Sequence, residues 1–441
     1  MDIQSELKKI GLELKDVEGY TEDMGYFKGE ADAVVLARST EDVVKVMRFA
    51  NEKGIPVIPW GRGTSVTGAV TAIKGGIIID MSPMNRIIDF SDEDWIIHVE
   101  AGVVLDEINA FLRPRGFFFP PDPASSFMCS IGGATSEGSG GMHCVKYGTM
   151  KDWVLATRMV LPDGTTVKVG EPLHKNRVGY DLTHLVIGSE GTLGVITEVW
   201  LKVVPIPSYK IKRVLAFFDS EEDIGRTIIN LRKNRVQPEI AEYMDLKVLE
   251  AVKRSFNIET HGVGALLIDV PEFETEKLSM SLSNPSYVKV AESEEEKEEL
   301  YKARSYAYLA VKSISKYAMS EDIVVPISKL PNVFKKIREL EENYGMECPI
   351  VGHIGDGNLH PIILYDDSNK DKAEAFFRDL CKYVIDEGGS ITGEHGVGIQ
   401  KRELAIRQIE VHNGRTLLEL MKGIKSVFDK KGIMNPYKQV V

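Results

Sequence analysis

Residues 59–70 read PWGRGTSVTGAV, and the ligand this glycine-rich run takes decides the fold. The run is not the dinucleotide fingerprint G-x-G-x-x-G, because after Gly61 and Gly63 the next glycine is Gly68. It is not a Walker A loop either. Gly63 and Gly68 have that spacing, but Ala69 stands where lysine must be. A strand-like run, GGIIID (75–80), follows instead of a helix. Such a loop would bind an anion through successive backbone N–H groups forming a nest, helped by Arg62, Thr64 and Ser65. A plain surface turn is the alternative for this run taken alone.

Two more runs have the same chemistry. Residues 120–148 read PPDPASSFMCSIGGATSEGSGGMHCVKYG, and residues 188–196 read GSEGTLGVI. Both mix glycine with small hydroxyl residues. Glycine lets another group come close to the backbone and tolerates unusual φ. Three such runs in a chain with an ordinary core predict a large flat ligand lying against backbone, most naturally a dinucleotide.

The rest of the composition narrows the class. At 441 residues the chain exceeds one ordinary core and predicts two or three domains. The 43% apolar and 27% charged content is that of a globular protein. A net charge of -12 and a pI near 5.4 argue against nucleic-acid binding and against docking on anionic lipid. Cys129, Cys144, Cys348 and Cys381 form no C-x-x-C pair, so no zinc-ribbon or cluster signature is present, and a reducing compartment is expected. The opening MDIQSELKKIGLELKDVEG lacks the apolar core of a signal peptide, and no run is long and apolar enough to span a bilayer. The expectation is a cytoplasmic protein, with peripheral association at the inner face of the membrane still open.

Strands are expected at IPVIPW, GGIIIDM, WIIHVEAGV and TRMVLPDGTTVKVG in the first half. ARSTEDVVKVMRFANEKG (37–54) predicts a helix capped by Ser39 or Thr40 and ended by Gly54. The stretch VVPIPSY (203–209) marks a boundary. Beyond it, helices are expected in EKLSMSLSNP, EEEKEELYKARSYAYLAVKSI and ISKLPNVFKKIRELEENYG, and strands in VGALLIDV and SEDIVVPI. ESEEEKEEL (292–300) reads as a solvated helix face. RTLLELMKGIKSVFDKKGIMNP reads as a last helix closed by Gly432. The division expected is 1–205, 206–410 and a C-terminal helical segment, 411–441, packing back on the first domain.

Residues 353–360 read HIGDGNLH. Asp-Gly favours a two-residue type I′ hairpin turn. With Asp356-Gly357 as that turn, His353 faces His360, and His353, Gly355, Asn358 and His360 share one face. Directly opposed residues have Cβ atoms roughly 4.5–5.5 Å apart, close enough for two imidazoles to share a metal ion. Two hydrogen-bonded or solvated histidines are the bland alternative. TGEHGVG (392–398) adds Glu394 and His395. One carboxylate and two histidines make a common open site for Zn²⁺, Mn²⁺ or Fe²⁺. Neighbouring residues on an extended segment point to opposite sides, so Glu394 and His395 should have different jobs. A histidine can serve as a general base near neutral pH.

The three glycine runs, in this order, resemble the FAD-binding domain of the vanillyl-alcohol oxidase type flavoproteins, from about residue 30 to 205. The resemblance implies an α+β, two-domain fold with a mixed α/β substrate (cap) domain and a C-terminal helical segment. By position it implies FAD contacts at Pro59, Gly61, Arg62, Gly63, Thr64, Ser65 and Gly68. The second run would contribute Pro120, Asp122, Ser130, Gly132, Gly133, Ser136, Gly140, Gly141, Tyr147 and Gly148. Glu190, Gly191, Gly194 and Ile196 of the third run, and Asn435 near the C-terminus, complete the set. His143 matches no covalent attachment site, so the FAD is expected to be non-covalent.

GHIGDGNLH and GEHGVG, with the ending GIMNPYK, resemble the C-terminal half of the FAD-dependent D-2-hydroxyacid dehydrogenases. That group includes D-lactate dehydrogenase, the flavin subunit of glycolate oxidase and D-2-hydroxyglutarate dehydrogenase. The resemblance implies a divalent metal, zinc first, on His353, His360 and Glu394, with His395 as the base. Asn358 would orient substrate. Arg304 would anchor the substrate carboxylate, at a position where Tyr301 replaces the group's tryptophan. Tyr308 and residues 318–321 depart from the threonine and lysine that hold a second carboxylate in the hydroxyglutarate members, which favours a small monoacid such as D-lactate; Lys316 is the residue that could still serve there. The implied partners are the hydroxy acid and a separate electron acceptor (a protein, cytochrome or quinone), within a homodimer or a larger complex. An alkyl-glycerone-phosphate-synthase-like transferase and a non-catalytic subunit are the rivals.

Overall fold

The computed structural model of the chain describes residues 2–256 and 258–441. The chain forms two compact units. Unit 1 comprises the N-terminal stretch through Gly140, then Gly148–Ile206 and Glu394–Val441; unit 2 comprises Gly141–Tyr147 and Pro207–Gly393. The break after Ile206 falls within the proline-bearing stretch 203–209. The second break falls after Gly393, not at residue 410, so Glu394 and His395 belong to unit 1. The short excursion 141–147 joins unit 2 because Lys146 pairs with Glu239 and Tyr209, and the Tyr147 hydroxyl donates to Glu239 at 3.0 Å.

Unit 1 contains two larger sheets and a two-stranded ribbon, Phe117–Phe118 with Val204–Pro205. The first runs in the order Leu14–Lys15, Ala33–Leu36, Ile77–Asp80, Val57–Trp60, and its last three strands are parallel. Helix Thr40–Lys53 makes the crossover, as its local sequence dictates. The Ser39 hydroxyl accepts the Asp42 N–H, Gly54 ends the helix in the left-handed region, and Val43, Val46, Met47 and Ala50 bury one stripe. The second sheet is antiparallel, in the order Ile87–Ser91, Ile96–Glu100, Val195–Lys202, Val154–Val160, Thr166–Gly170. Among the C-terminal residues, Met434 bridges to Val57, and the buried Lys438 donates to the Thr71 carbonyl at 2.8 Å. The last helix spans Arg415–Phe428 and stops short of Gly432, because the Asp429 carboxylate captures Lys425 and the N–H groups of Ile433 and Met434.

Unit 2 is built on one antiparallel sheet of eight strands. Its path runs Pro285–Val290, Ile211–Phe218, Gly264–Pro271, Ile240–Asp245, Ile350–Gly352, Asn358–Tyr365, Tyr317–Ser320, with Ile323–Val324 pairing beside Asn358–Tyr365. The strand expected across SEDIVVPI shrinks to those two residues. Strand Ile240–Asp245 is buried throughout. Its odd face carries Tyr243 against Phe334 of helix Leu330–Tyr344. On its even face, Ile240 and Met244 join a core with Leu300, Ala303, Ala307 and Val351.

The turn within HIGDGNLH differs from the expected hairpin. A type I′ turn needs positive φ at both central residues, and only Gly357 (φ 85°) has it. Ile354–Asp356 instead form a 3₁₀ turn, and His360 faces Val351 in the sheet. The wider turn is held by the Asn358 N–H donating to the His353 carbonyl at 3.2 Å. A Cβ at residue 357 would stand 2.3 Å from the Val325 carbonyl, so glycine is required there.

Candidate active site

In unit 1 the three glycine runs converge. A Cβ on Gly61 would lie 2.4 Å from the Ser130 Oγ, and one on Gly191 would lie 3.0 Å from Pro59. The Gly188 N–H donates to the Thr135 carbonyl and the Glu190 N–H to the Ser136 carbonyl. Asn435 links the first and third runs, its Nδ2 donating to the Ala69 and Glu190 carbonyls at 2.8 and 2.7 Å. Its buried Oδ1 has no partner among the described residues.

The first loop leaves the parallel sheet at the carboxyl end of strand Val57–Trp60, where ligands of such sheets bind. Its shape is set internally. The Ser65 hydroxyl accepts the N–H groups of Thr67 and Ala69, and the Asp23 carboxylate accepts that of Gly68. Arg62 reaches the Gly102 carbonyl at 3.4 Å. Ser130 caps helix Ile131–Glu137 through the Gly133 N–H, and Gly132 packs against Ala101 where a Cβ would clash. Pro120 is buried and Asp122 half-buried. Gly140 and Gly148 stand on either side of the excursion that carries Gly141 and Tyr147 into unit 2. Gly194 and the buried Ile196 lie at strand Val195–Lys202, with Met159 filling the space a Cβ on Gly194 would need.

The GEHGVG segment is also anchored in unit 1. The Glu190 carboxylate accepts the N–H groups of Val397 and Gly398 at 2.6 and 2.8 Å, and Gln439 Nε2 at 2.7 Å. Glu190 therefore serves the loop that bears His395 with the same oxygens expected to meet cofactor. Thr67 adds three contacts: its hydroxyl donates to the His395 carbonyl, and its carbonyl accepts the Ile399 and Gln400 N–H groups. Gly396 (φ 80°) is obligatory, since a Cβ would stand 2.4 Å from the Glu137 Oε2. Burial pushes the Glu190 carboxyl up to about 7. Burial and then the charge of Glu190 raise Glu137 as well.

Unit 2 holds the remaining polar residues. The rings of His353 and His360 stand 5.1 Å apart, nearly perpendicular. His353 Nδ1 lies 3.0 and 2.9 Å from the two oxygens of Glu242. His360 Nδ1 lies 3.1 Å from the Glu321 carbonyl and 3.8 Å from Asp322 Oδ1. Carboxylates and carbonyls only accept, so both rings carry hydrogen on Nδ1, which leaves Nε2 as the nitrogen of each ring that could ligate a metal. The buried Arg304 has Nη2 2.6 Å from Glu242 Oε2. That contact is an ion pair without hydrogen-bond geometry, and the Arg304 Nε and Nη2 find no hydrogen-bond partner among the described residues.

Asn358 spends its amide donors within the protein, on Asp322 at 2.8 Å and the Ile323 carbonyl at 3.0 Å. The second Asp322 oxygen accepts the Thr392 hydroxyl and the Gly393 N–H at 2.7 and 2.8 Å. Asn358 thus buttresses the site through Asp322. Lys316 lies at the surface, paired with Asp367. Sequence reading missed Glu242 and Asp322. The one available signal was an acidic residue on an otherwise apolar strand face, Ile240–Glu242–Met244.

The glycine-lined unit 1 and the antiparallel sheet of unit 2 match the two domains of the FAD-linked oxidases. Residues 31–170 match the FAD binding domain, and residues 208–439 match the FAD linked oxidases, C-terminal domain; the chain belongs to this family. It is 34% identical to the glycolate oxidase subunit GlcD of Bacillus subtilis, over 93% of this chain and 89% of that one. It is also 34% identical to the mitochondrial D-lactate dehydrogenase [cytochrome] of Arabidopsis thaliana, over 93% and 73%. Solved structures of an alkyldihydroxyacetonephosphate synthase (TM-score 0.76, 19% identity, 99% of this chain and 85% of that one) and of the 4-ethylphenol oxidase of Gulosibacter chungangensis (TM-score 0.74, 18% identity, 99% and 93%) share the fold. The expected vanillyl-alcohol oxidase type architecture is therefore the observed one. No helix among the described residues is long and apolar enough to cross a membrane.

Proposed function

We propose that this chain oxidises a small D-2-hydroxy acid, D-lactate first, to the 2-oxo acid, with non-covalent FAD in unit 1 and a divalent metal, zinc first, on His353, His360 and Glu394. The observation that carries the reading is the pair of imidazoles, rings 5.1 Å apart and each anchored through Nδ1. Glu394 is the residue after Gly393, whose N–H the same Asp322 holds. The donor set of two neutral imidazoles and one carboxylate fits a divalent ion with positions left for substrate. The backbone N–H groups of Arg62, Gly63 and Thr64 donate to no other described residue, which fits a pyrophosphate cradle.

When bound, FAD supplies the hydride acceptor for C2 of the substrate. A divalent ion makes the substrate hydroxyl more acidic. The chain's own residues do the rest. Arg304 takes the substrate carboxylate with the guanidinium N–H groups left over from its ion pair. His395 removes the hydroxyl proton, its main chain fixed by Thr67 and by Glu190 beyond it. The surface pairing of Lys316 with Asp367 leaves no second clamp there, which favours a monoacid over hydroxyglutarate.

The relative named as a glycolate oxidase subunit supports a second reading, in which glycolate is the substrate and the chain works within a complex. In either case the electrons pass to a separate acceptor. Anaerobic addition of D-lactate, L-lactate and glycolate, read as bleaching of the flavin absorbance, tests both. Bleaching by D-lactate alone is expected. Bleaching by glycolate alone moves the assignment to the second reading, and bleaching by none of them rejects both.

A further inference from the structure

Glu242 is fully buried on the even face of strand Ile240–Asp245, between Ile240 and Met244 and among the apolar side chains of Ala303 and Ala307. A carboxylate in such a place is costly unless it is paired and hydrogen-bonded. If its only task were to neutralise Arg304, one directed pairing would be enough. Instead both of its oxygens reach His353 Nδ1, at 3.0 and 2.9 Å, and Oε2 also approaches the Arg304 Nη2, at 2.6 Å. The imidazole is held by hydrogen bonds, whereas the guanidinium is held by charge, with its Nε and Nη2 still unspent.

We infer that Glu242 is the positioning residue shared by the two halves of the substrate site: it locks His353 in the Nδ1–H tautomer and orients Arg304 without consuming its fork. One side chain thereby links the histidine that faces the metal to the arginine that faces the substrate carboxylate. The inference deepens the proposed function and rests on that reading for the identity of what His353 and Arg304 receive. The tautomer itself does not depend on that reading. Sequence gives no hint of the link, because residues 242, 304 and 353 meet only through the sheet and helix Glu294–Ser305.

The test uses full-length, FAD-loaded protein stripped of metal, with histidines labelled by nitrogen-15 and the His353 signal assigned through its loss in His353→Gln. In the wild type, long-range nitrogen–proton couplings should show His353 protonated on Nδ1. In Glu242→Gln that preference should weaken. Affinity for Zn²⁺, measured by competition with a chromophoric chelator, should fall by about 10- to 100-fold. Glu242→Asp keeps the charge but is one methylene shorter. It should lose the tautomer lock as well, and it carries the test if the glutamine variant fails to fold. A His353 protonated on Nε2 in the wild type overturns the inference, as does unchanged Zn²⁺ affinity in a folded Glu242 variant. A wild type with the Nδ1–H tautomer that takes up no metal sinks the metal assignment of the proposed function and leaves the positioning role of Glu242 standing.

Discussion

The carboxylate of Glu190 accepts the backbone N–H of Val397 at 2.6 Å, so the loop that bears His395 hangs from a buried acid whose carboxyl is raised to about 7. The sign of the resulting pH dependence is fixed. The folded carboxyl keeps its proton up to about 7, whereas the unfolded one releases it near 4.5. The native state therefore binds more protons between these values, and stability is full below about pH 4.5 and is lost as pH rises to about 7. The size is on the order of 3 kcal/mol. Glu137 is raised too and acts in the same direction. Melting temperature measured from pH 4.5 to 7.5 should fall more steeply for the wild type than for Glu190→Gln, in which Glu137 still contributes; parallel curves would assign the slope to other groups.

Legibility in the sequence followed the range of the interactions. Helix Thr40–Lys53 could be read to the residue because Ser39 and Gly54, its two caps, are local. The approach of His353 to His360 was also legible, although the turn between them and the register, His360 opposite Val351, were not. Asp-Gly suggested two positive-φ residues, but the long-range approach of Val325 to Gly357 selected a 3₁₀ turn. The roles of Glu242 and Asp322 were not legible because their partners lie 62 to 111 and 36 to 71 residues away along the chain, brought in by the tertiary fold. The end of unit 2 at Gly393 was hidden for a different reason: no linker-like composition marks it, only a glycine in a functional loop.

Backbone approach in the flavin cradle makes a graded prediction about glycines. A Cβ on Gly132 would stand 2.7 Å from the Ala101 Cβ and 2.9 Å from its carbonyl oxygen, contacts that no side-chain rotation relieves. Gly132→Ala should therefore shift the start of helix Ile131–Glu137 and lower the FAD bound per chain, read as the ratio of flavin to protein absorbance. Gly423, inside helix Arg415–Phe428, has nothing within 4 Å of its Cβ position. There alanine should raise unfolding free energy by about 0.5–1 kcal/mol with FAD content unchanged. Equal FAD loss in both variants would mean that the cradle is not where Gly132 acts.

Metal removal separates the two cofactors. Dialysis against a strong chelator should cut turnover of D-lactate by at least about 100-fold, equivalent to roughly 2.7 kcal/mol of transition-state stabilisation, while the flavin spectrum persists. Readdition of Zn²⁺ or Mn²⁺ should restore it. His360→Ala should behave like the chelated protein and not respond to readdition, because the proposed site takes its Nε2 as one of two imidazole donors. Full turnover in metal-free wild type would remove the metal from the mechanism.

Arg304 and Lys316 are the two cations that could meet a substrate carboxylate, and the structure gives them opposite surroundings. Arg304 is buried, beside Glu242, with guanidinium nitrogens unspent. Lys316 is exposed and paired with Asp367. Arg304→Lys keeps the buried charge against Glu242 but loses the planar fork that matches a carboxylate. Its KM for D-lactate should rise by about 10- to 100-fold, the equivalent of roughly 1.4–2.7 kcal/mol, with FAD content unchanged. Arg304→Met would instead leave Glu242 without its countercharge and should cost about 3–5 kcal/mol of stability. Lys316→Ala should leave KM within about twofold, since it removes only an exposed pair worth at most about 1 kcal/mol. Steady-state kinetics on the lysine and alanine variants decide the matter: a KM that follows Lys316 and ignores Arg304 would move the carboxylate site away from Glu242 and His353.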